Sequence, residues 1–210
     1  MSAPLFGRPE VIAILRAASA DRVPEVAELV YRAGVRVIEL TLTTPEAAAA
    51  LAELRERLPD DAVLGMGSVR TELDVEVSVD AGAQCLFTPT CRPDVIELAV
   101  DRGVPIVSGA ATPTEIYDAH AAGAAAVKVF PAAHLGGPGF LRAVRGPLPD
   151  VPLVPTGGVD VDDVGAYLAA GAAAVGLGGE LLGDALRGGD LDALAARVRT
   201  ALAARDAVAA

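Results

Sequence analysis

The stretch AGAQCLFTPTCRPDVIELAVDRGVPIVSGAATPTEIYDAHAAGAAAVKVF, residues 81–130, repeats one pattern twice and begins it a third time. Short runs of apolar and β-branched residues predict strands at Cys85–Thr88, Pro105–Val107 and Ala126–Phe130. Amphipathic helices open near Arg92 and Thr112, between these strands. They end at Gly103 and Gly123, where glycine adopts the left-handed conformation of a helix C-cap without steric cost. Strands that alternate with helices in this way predict parallel βαβ units.

The same alternation extends over the whole chain and gives eight strand–helix pairs. Further strands are predicted at Val11–Leu15, Val37–Leu42, Ala62–Met66, Leu153–Thr156 and Ala174–Gly176. Further helices open near Asp21, Pro45, Thr71, Gly139, Asp160 and Asp190, and the last covers Leu191–Ala210. Eight compact units close naturally into a barrel with its active site at the strand C-termini. We therefore expect residues 1–210 to form one α/β domain, a single (β/α)8 (TIM) barrel, with an open doubly wound sheet as the alternative.

Composition and charge exclude several kinds of partner. The formal net charge is −11, whereas nucleic acid and anionic membranes attract basic surfaces, so we expect neither as a partner. No apolar run reaches about 18 residues, and no secretory signal is recognisable. Cys85 and Cys91 are too few for a disulfide framework, and His120 and His134 are too few for a zinc cluster. We expect a cytoplasmic protein that uses neither a metal nor another cofactor.

Lys128 is the only lysine among the 17 basic residues, and it lies in an apolar predicted strand, AAAVKVFP at 124–131. Arginine stays protonated and cannot act as a nucleophile, whereas a desolvated lysine can lose its proton and attack a ketone. Lys128 is therefore the candidate nucleophile. The alternative is a lysine at a strand end whose amine reaches solvent.

Glu39 is a second charged residue inside an apolar strand. Alternation places Glu39 on the same face as Val37 and Thr41, and Lys128 on the same face as Ala126. If both faces point into the barrel, the carboxylate and the amine meet near its mouth. A carboxyl group there can move protons during hydration, dehydration and C–C cleavage. The alternatives are a core ion pair without catalytic role and a solvent-facing acid.

Four motifs, taken in order, resemble one known family. They are VIELTL (37–42), GMGSV (65–69), VKVFPA (127–132) and PTGGV (155–159). The chain resembles the 2-keto-3-deoxy-6-phosphogluconate (KDPG) aldolase / 4-hydroxy-2-oxoglutarate (KHG) aldolase family from Ile12 to about Leu182. The resemblance implies a homotrimeric class I aldolase in which Lys128 forms a Schiff base with pyruvate and Glu39 is the general acid/base. It also implies a set of substrate-binding residues: Arg16, Thr43, Gly67, Pro89, Phe130 and Thr156.

Two positions depart from the family pattern. Many gluconate-type members carry an arginine where this chain has Thr43, and Arg16 resembles an arginine of galactonate-type members. The family's Gly-Ser after the last strand is replaced by Gly178-Gly179, so a hydroxyl is lost while the backbone N–H groups remain. We expect the following Glu180 to point away from a bound anion.

Paired glycines follow predicted strands 7 and 8, where barrels commonly bind phosphate. Gly157, Gly158, Gly178 and Gly179 are therefore candidate phosphate-binding residues, although paired glycines also form simple tight turns. We predict cleavage of KDPG or its galactonate epimer to pyruvate and glyceraldehyde 3-phosphate. The alternatives are cleavage of KHG to pyruvate and glyoxylate, another phosphate-binding barrel such as an isomerase or a thiamine-phosphate-type synthase, and a noncatalytic barrel.

Overall fold

A computed structural model describes Phe6, Gly7 and residues 9–209, and its strands and helices alternate along the chain. The strands are β1 Glu10–Leu15, β2 Val37–Thr41, β3 Val63–Gly67, β4 Cys85–Phe87, β5 Ile106–Ala110, β6 Ala126–Val129, β7 Leu153–Pro155 and β8 Ala174–Leu177. The α-helices are α1 Val23–Arg32, α2 Ala47–Arg57, α3 Glu72–Asp80, α4 Pro93–Asp101, α5 Pro113–Ala121, α6 Gly137–Arg145, α7 Val164–Ala169, α8 Gly179–Leu182 and α9 Leu191–Ala209. Three 3₁₀ turns, Ala132–Leu135, Val161–Asp163 and Ala185–Arg187, complete the elements.

All eight strands are parallel, and each pairs with its neighbours in the sequence. β1 also pairs with β8, and the sheet closes between β7 and β8. The closing contacts are a parallel bridge between Thr156 and Gly176 and a hydrogen bond of 2.8 Å from the Ala173 N–H to the Leu153 carbonyl. The predicted (β/α)8 barrel is confirmed, and the open doubly wound sheet is excluded.

Local sequence explains where several helices begin. Thr71 and Thr112 each cap a helix, because the threonine hydroxyl accepts from the third helical N–H while the acid at that position accepts from the threonine N–H. Pro24, Pro93 and Pro113 lie in first turns, where a missing N–H costs nothing. These signals fix the residue at which each of these helices begins. The loops that join the strand C-termini to these helix starts lie at the mouth of the barrel.

Two apolar layers hold the barrel together. The larger layer lies between the sheet and the helices, while the smaller one fills the barrel interior and includes Ile12, Val37, Phe87, Ala126 and Val154. Interior residues alternate with outward ones along each strand, as the pleat requires. Because Val37 and Ala126 face inward, the residues two positions further on also face inward, as alternation predicts.

Apart from β5, no predicted strand bound differs from the observed bound by more than one residue. β5 differs more: it was predicted at Pro105–Val107 but continues to Ala110, because its last residues pair with Val127–Val129. The short helix Gly179–Leu182 and the turn Ala185–Arg187 were not predicted, since pieces this short carry no periodic signal. The final helix is observed to Ala209, and residues 1–5, 8 and 210 lie outside the described part of the predicted domain.

None of the helices in the described ranges combines the length and the apolar character needed to cross a membrane.

Candidate active site

Lys128 and Glu39 meet inside the barrel. The Lys128 Nζ lies 3.4 Å from Glu39 Oε2 and 3.5 Å from Oε1, so it donates to either oxygen at the long end of hydrogen-bond range. Lys128 is 7% exposed and Glu39 is 1% exposed. The alternatives of a solvent-reaching lysine and a solvent-facing acid are therefore wrong, because both groups are buried and each is the other's counter-ion.

The closed sheet brings the two residues together from opposite walls. Glu39 lies on β2 and Lys128 on β6, which are separated by three strands in either direction around the barrel. Beside Lys128 in the register is Gly109 of β5, and beside Glu39 is Gly65 of β3. The space that a side chain would take is filled by the Pro89 backbone at Gly109 and by Phe87 and Cys85 at Gly65, so these glycines let residues on and just after β4 pack closely around the pair.

Gly67 makes room for the Glu39 carboxylate. A Cβ at Gly67 would lie 1.9 Å from Glu39 Oε1 and 2.5 Å from its Cδ, distances that no real Cβ tolerates. The resemblance implies that Gly67 binds substrate, and that role stays a prediction. The geometry adds a different role: the absence of a side chain at Gly67 allows the Glu39 carboxylate to occupy its position beside Lys128.

Gly67→Ala is expected to lower kcat for aldol cleavage by about 10²-fold, the cost of misplacing a catalytic group by about 1 Å. The clashing atoms are the end of a flexible side chain, so the carboxylate moves while the strand stays, and we expect little loss of thermal stability. Steady-state cleavage rates and thermal unfolding check both parts. Gly139→Ala is the control, because that glycine has no atom within 4 Å of its added Cβ. An unchanged kcat in Gly67→Ala would show that Glu39 needs no fixed position.

Phe87 and Cys85, both on β4, form the floor beneath the amine. The Lys128 Nζ lies 5.9 Å from the centre of the Phe87 ring, within the range of a cation–π contact. Burial, followed by the negative charge of Glu39, raises the pKa of the Cys85 thiol. The thiol therefore stays protonated and is a poor nucleophile, so Lys128 remains the candidate nucleophile of this interior.

A cavity of about 450 Å³ opens at the C-terminal mouth of the barrel and reaches Lys128. Its walls come from the ends of β1, β6, β7 and β8 and from the loops that follow them. Eight of the predicted site residues line it: Arg16, Lys128, Phe130, Thr156, Gly157, Gly158, Gly178 and Gly179. A volume of this size suits a small-molecule substrate.

Thr156 and Phe130 flank the lysine on the cavity wall. The Thr156 hydroxyl donates to the Val154 carbonyl over 3.3 Å, and it lies where a Cβ at Gly176 would approach within 2.4 Å. Phe130 is 39% exposed although aromatic, because its ring stands at the cavity beside Gly157. Both side chains are placed to contact a molecule bound at Lys128.

Ser68 is a site residue that the sequence did not reveal. Its backbone has φ +62°, a left-handed conformation that is uncommon for a residue other than glycine. Its hydroxyl accepts a hydrogen bond of 3.3 Å from Arg16 Nη2, which fixes the guanidinium that lines the cavity. Backbone strain of this kind concentrates at functional sites. The motif GMGSV gave the location, but nothing in it signals the conformation.

The four paired glycines border one region of the cavity. Their N–H groups donate no turn or loop hydrogen bond to any residue that the structure describes. Gly157 and Gly158 have positive φ values of +92° and +68°, which turn the chain after β7. N–H groups without a protein partner, on residues that line the cavity, can bind water or an anionic ligand there.

Two other predicted residues, Pro89 and Thr43, are not among those that line the cavity. Pro89 passes over Gly109, whose added Cβ would lie 2.3 Å from the Pro89 carbonyl carbon, so it lies next to the strand position paired with Lys128. Exposed Thr43 exchanges a hydrogen bond of 3.1 Å with the Thr41 hydroxyl, and its contact with substrate stays a prediction. Glu180 is one of the residues that line the cavity, and the direction of its carboxylate relative to a bound anion stays a prediction.

Across the described residues, no group of three or more His, Cys, Asp or Glu side chains is close enough to hold a metal ion. A buried lysine beside a buried carboxylate, facing a small cavity at the mouth of a (β/α)8 barrel, is the arrangement of a Schiff-base (class I) aldolase.

Comparison with known proteins agrees with this class. The family model "KDPG and KHG aldolase" matches residues 6–197. A probable 2-dehydro-3-deoxy-6-phosphogalactonate aldolase of Rhizobium meliloti is 34% identical over 206 residues, covering 98% of this chain and 95% of the relative. A 2-dehydro-3-deoxy-phosphogluconate aldolase of Pseudomonas aeruginosa is 35% identical over 150 residues, covering 71% of this chain and 67% of the relative.

A solved structure extends the comparison to a reaction intermediate. KDPG aldolase from Legionella pneumophila, with pyruvate captured as a covalent carbinolamine, matches with a TM-score of 0.84 and 28% identity. The match covers 95% of this chain and 98% of that one. The chain belongs to the KDPG and KHG aldolase family.

Proposed function

We propose that this protein cleaves KDPG, or its galactonate epimer, reversibly to pyruvate and glyceraldehyde 3-phosphate. The observation that carries the proposal is the buried Lys128–Glu39 pair at 3.4–3.5 Å, opening onto a cavity at the barrel mouth. An amine can form an imine with a ketone, and a carboxyl group beside it can supply and remove the protons that this requires. The buried pair therefore supplies both the nucleophile and the proton carrier that aldol cleavage needs.

The reaction follows from these two groups. The Lys128 amine attacks C2 of the substrate, and loss of water from the carbinolamine gives an imine whose positive charge withdraws electrons from C3. Removal of the C4 hydroxyl proton then breaks the C3–C4 bond, releasing the aldehyde and leaving an enamine on Lys128. Protonation of the enamine at C3 gives the pyruvate imine, which water hydrolyses to free pyruvate and the amine. Glu39, acting directly or through a water molecule, carries the protons between these steps.

The residues around the pair orient the pyruvate part. Thr156 presents a hydroxyl, and Phe130 presents an apolar ring at the cavity. Arg16, held by Ser68, supplies a cation for an anionic group of the substrate. We assign these three residues to substrate binding, with Gly67 and Pro89 shaping the surroundings of the reacting carbons.

The phosphate end of the substrate belongs at the paired glycines. Gly157, Gly158, Gly178 and Gly179 line the same cavity as Lys128 and offer unbonded N–H groups. Phosphate oxygens accept several N–H donors at once, and each bond to a charged group contributes about 1.5–3 kcal/mol. Because α8 has only four residues, the individual N–H groups, rather than a long helix, have to supply this binding.

We therefore expect kcat/KM for the phosphorylated substrate to exceed that for its dephosphorylated form by about 10-fold or more. Gly179→Asp should remove most of this preference, because it places a carboxylate beside the phosphate. Gly179 suits the test since an added Cβ has no atom within 4 Å. Gly179→Asn is the matched neutral control. Equal kcat/KM values for the two substrates, with no effect of Gly179→Asp, would show that the glycines are only turns.

Cleavage of KHG to pyruvate and glyoxylate is the second candidate. It uses the same imine chemistry but needs no phosphate site, and the acidic Glu180 at the cavity repels its singly charged far carboxylate less than a phosphate dianion. A KHG/KDPG aldolase of Escherichia coli is 29% identical to this chain over 194 residues. The comparison of kcat/KM for KHG and KDPG separates the two candidates.

We also propose a homotrimer in the cytoplasm. Exposed apolar side chains on α3, α4 and α5, namely Leu73, Val77, Val100 and Tyr117, support association with further copies. Cys85 and Cys91 are free thiols, which suits a reducing compartment.

A further inference from the structure

Arg187 brings a second arginine to the cavity that Arg16 already borders. It ends the 3₁₀ turn Ala185–Arg187, ten residues after β8, and its side chain is exposed at the cavity. The four-motif resemblance ends before it. Its guanidinium forms no ion pair or side-chain hydrogen bond with any of the described residues. A cation without a counter-ion at a substrate cavity needs an anionic partner or water.

The charges of the residues that line the cavity favour an anionic partner for Arg187. Arg16, Lys128 and Arg187 contribute positive charge to the wall, and Glu180 contributes negative charge. Lys128 is already paired with the buried Glu39. In a chain with a net charge of −11, two further arginines concentrated at one cavity mark it as a place for an anion.

The segment that carries Arg187 is held in place by α9. Arg197 donates from Nε to the Leu181 carbonyl over 2.6 Å and from Nη2 to the Leu182 carbonyl over 3.0 Å. Ala185, two residues before Arg187, is completely buried against the core. These contacts fix the backbone on both sides of Gly183, so the position of Arg187 at the cavity is built into the fold.

We propose that Arg187 determines the specificity for the phosphate end of the substrate, an inference that rests on the proposed function. Arg187 lines the same cavity as Gly178 and Gly179, and a guanidinium can form two parallel hydrogen bonds with one phosphate. Its positive charge offsets the negative charge of Glu180, which lines the same cavity.

The experiment measures kcat/KM for KDPG and for its dephosphorylated form in wild type, Arg187→Ala and Arg187→Lys. In Arg187→Ala we expect the value for KDPG to fall by about 10–100-fold, while the value for the dephosphorylated substrate changes less than about 3-fold. Arg187→Lys should lie between, since it keeps the charge but loses the planar fork. Glu180→Gln should raise the value for KDPG by about 2–5-fold. Arg142→Ala, an exposed arginine on α6 that does not line the cavity, controls for the change in net charge.

The outcomes separate this inference from the proposed function. If wild type forms the borohydride-trapped pyruvate adduct and prefers KDPG, but Arg187→Ala keeps that preference or loses both activities equally, the assignment of Arg187 is overturned and the function stands. If wild type forms no adduct, the aldolase function is overturned. If it forms the adduct without preferring KDPG, the phosphate preference and the role of Arg187 are overturned together.

Discussion

Lys128→Arg is expected to abolish cleavage, with kcat reduced to the uncatalysed background. Arginine keeps the positive charge that the buried Glu39 requires but cannot form an imine, so the substitution removes the chemistry and retains the electrostatics. Steady-state release of pyruvate from KDPG measures the effect.

The choice of arginine matters for interpreting this result. A neutral replacement would leave Glu39 buried without a counter-ion, and breaking a buried pair in that way costs about 3–5 kcal/mol of stability. A change in the thermal unfolding midpoint of Lys128→Arg would reveal any such damage. If the folded variant kept more than a trace of turnover, Lys128 would not be the nucleophile.

Glu39→Gln is expected to lower kcat by about 10²–10⁴-fold, the usual contribution of a positioned acid/base. Glutamine has nearly the same shape and still fits the space left by Gly67, but it cannot exchange a proton. Imine formation should continue more slowly, because the amine remains and water can supply protons. Single-turnover measurements should therefore show that proton-transfer steps are slowed more than substrate binding.

Glu53→Gln is the control for Glu39→Gln, because Glu53 is an exposed acid on α2 that pairs with Arg57 at the surface. We expect its turnover to equal that of wild type. If Glu39→Gln also kept wild-type turnover, Glu39 would be only a structural counter-ion of Lys128. This is the core ion pair without catalytic role that the sequence left open as an alternative.

Much of the fold and the centre of the site could be predicted because both depend on short-range patterns. Because side chains alternate along β2 and β6, Glu39 and Lys128 face inward if Val37 and Ala126 do. Closure of the barrel then brings the two side chains into contact. Capping threonines and first-turn prolines marked helix starts within one or two residues. The candidate nucleophile Lys128 could be proposed, and its burial predicted, because its apolar surroundings are visible in the sequence itself.

The remaining features depend on contacts between distant segments. The space that Gly67 leaves for Glu39 is a contact between β3 and β2, and the link from Arg16 to Ser68 joins residues 52 positions apart. Arg187 lies on a three-residue turn that has no periodic signal, and it reaches the cavity only because α9 fixes the preceding backbone. That Glu180 lines the cavity was not visible in the sequence for the same reason, since it lies on the unpredicted helix Gly179–Leu182.

The most direct test of the central claim is reduction of the protein with borohydride in the presence of pyruvate, followed by peptide mass spectrometry. Lys128 is the only lysine in the chain, so the N-terminal amine is the one other site for an imine. We predict one reduced pyruvate per chain, located on the peptide that contains Lys128, and no adduct on that peptide in Lys128→Arg. Absence of an adduct from the wild-type peptide, or an adduct found only at the N-terminal amine, would contradict the account.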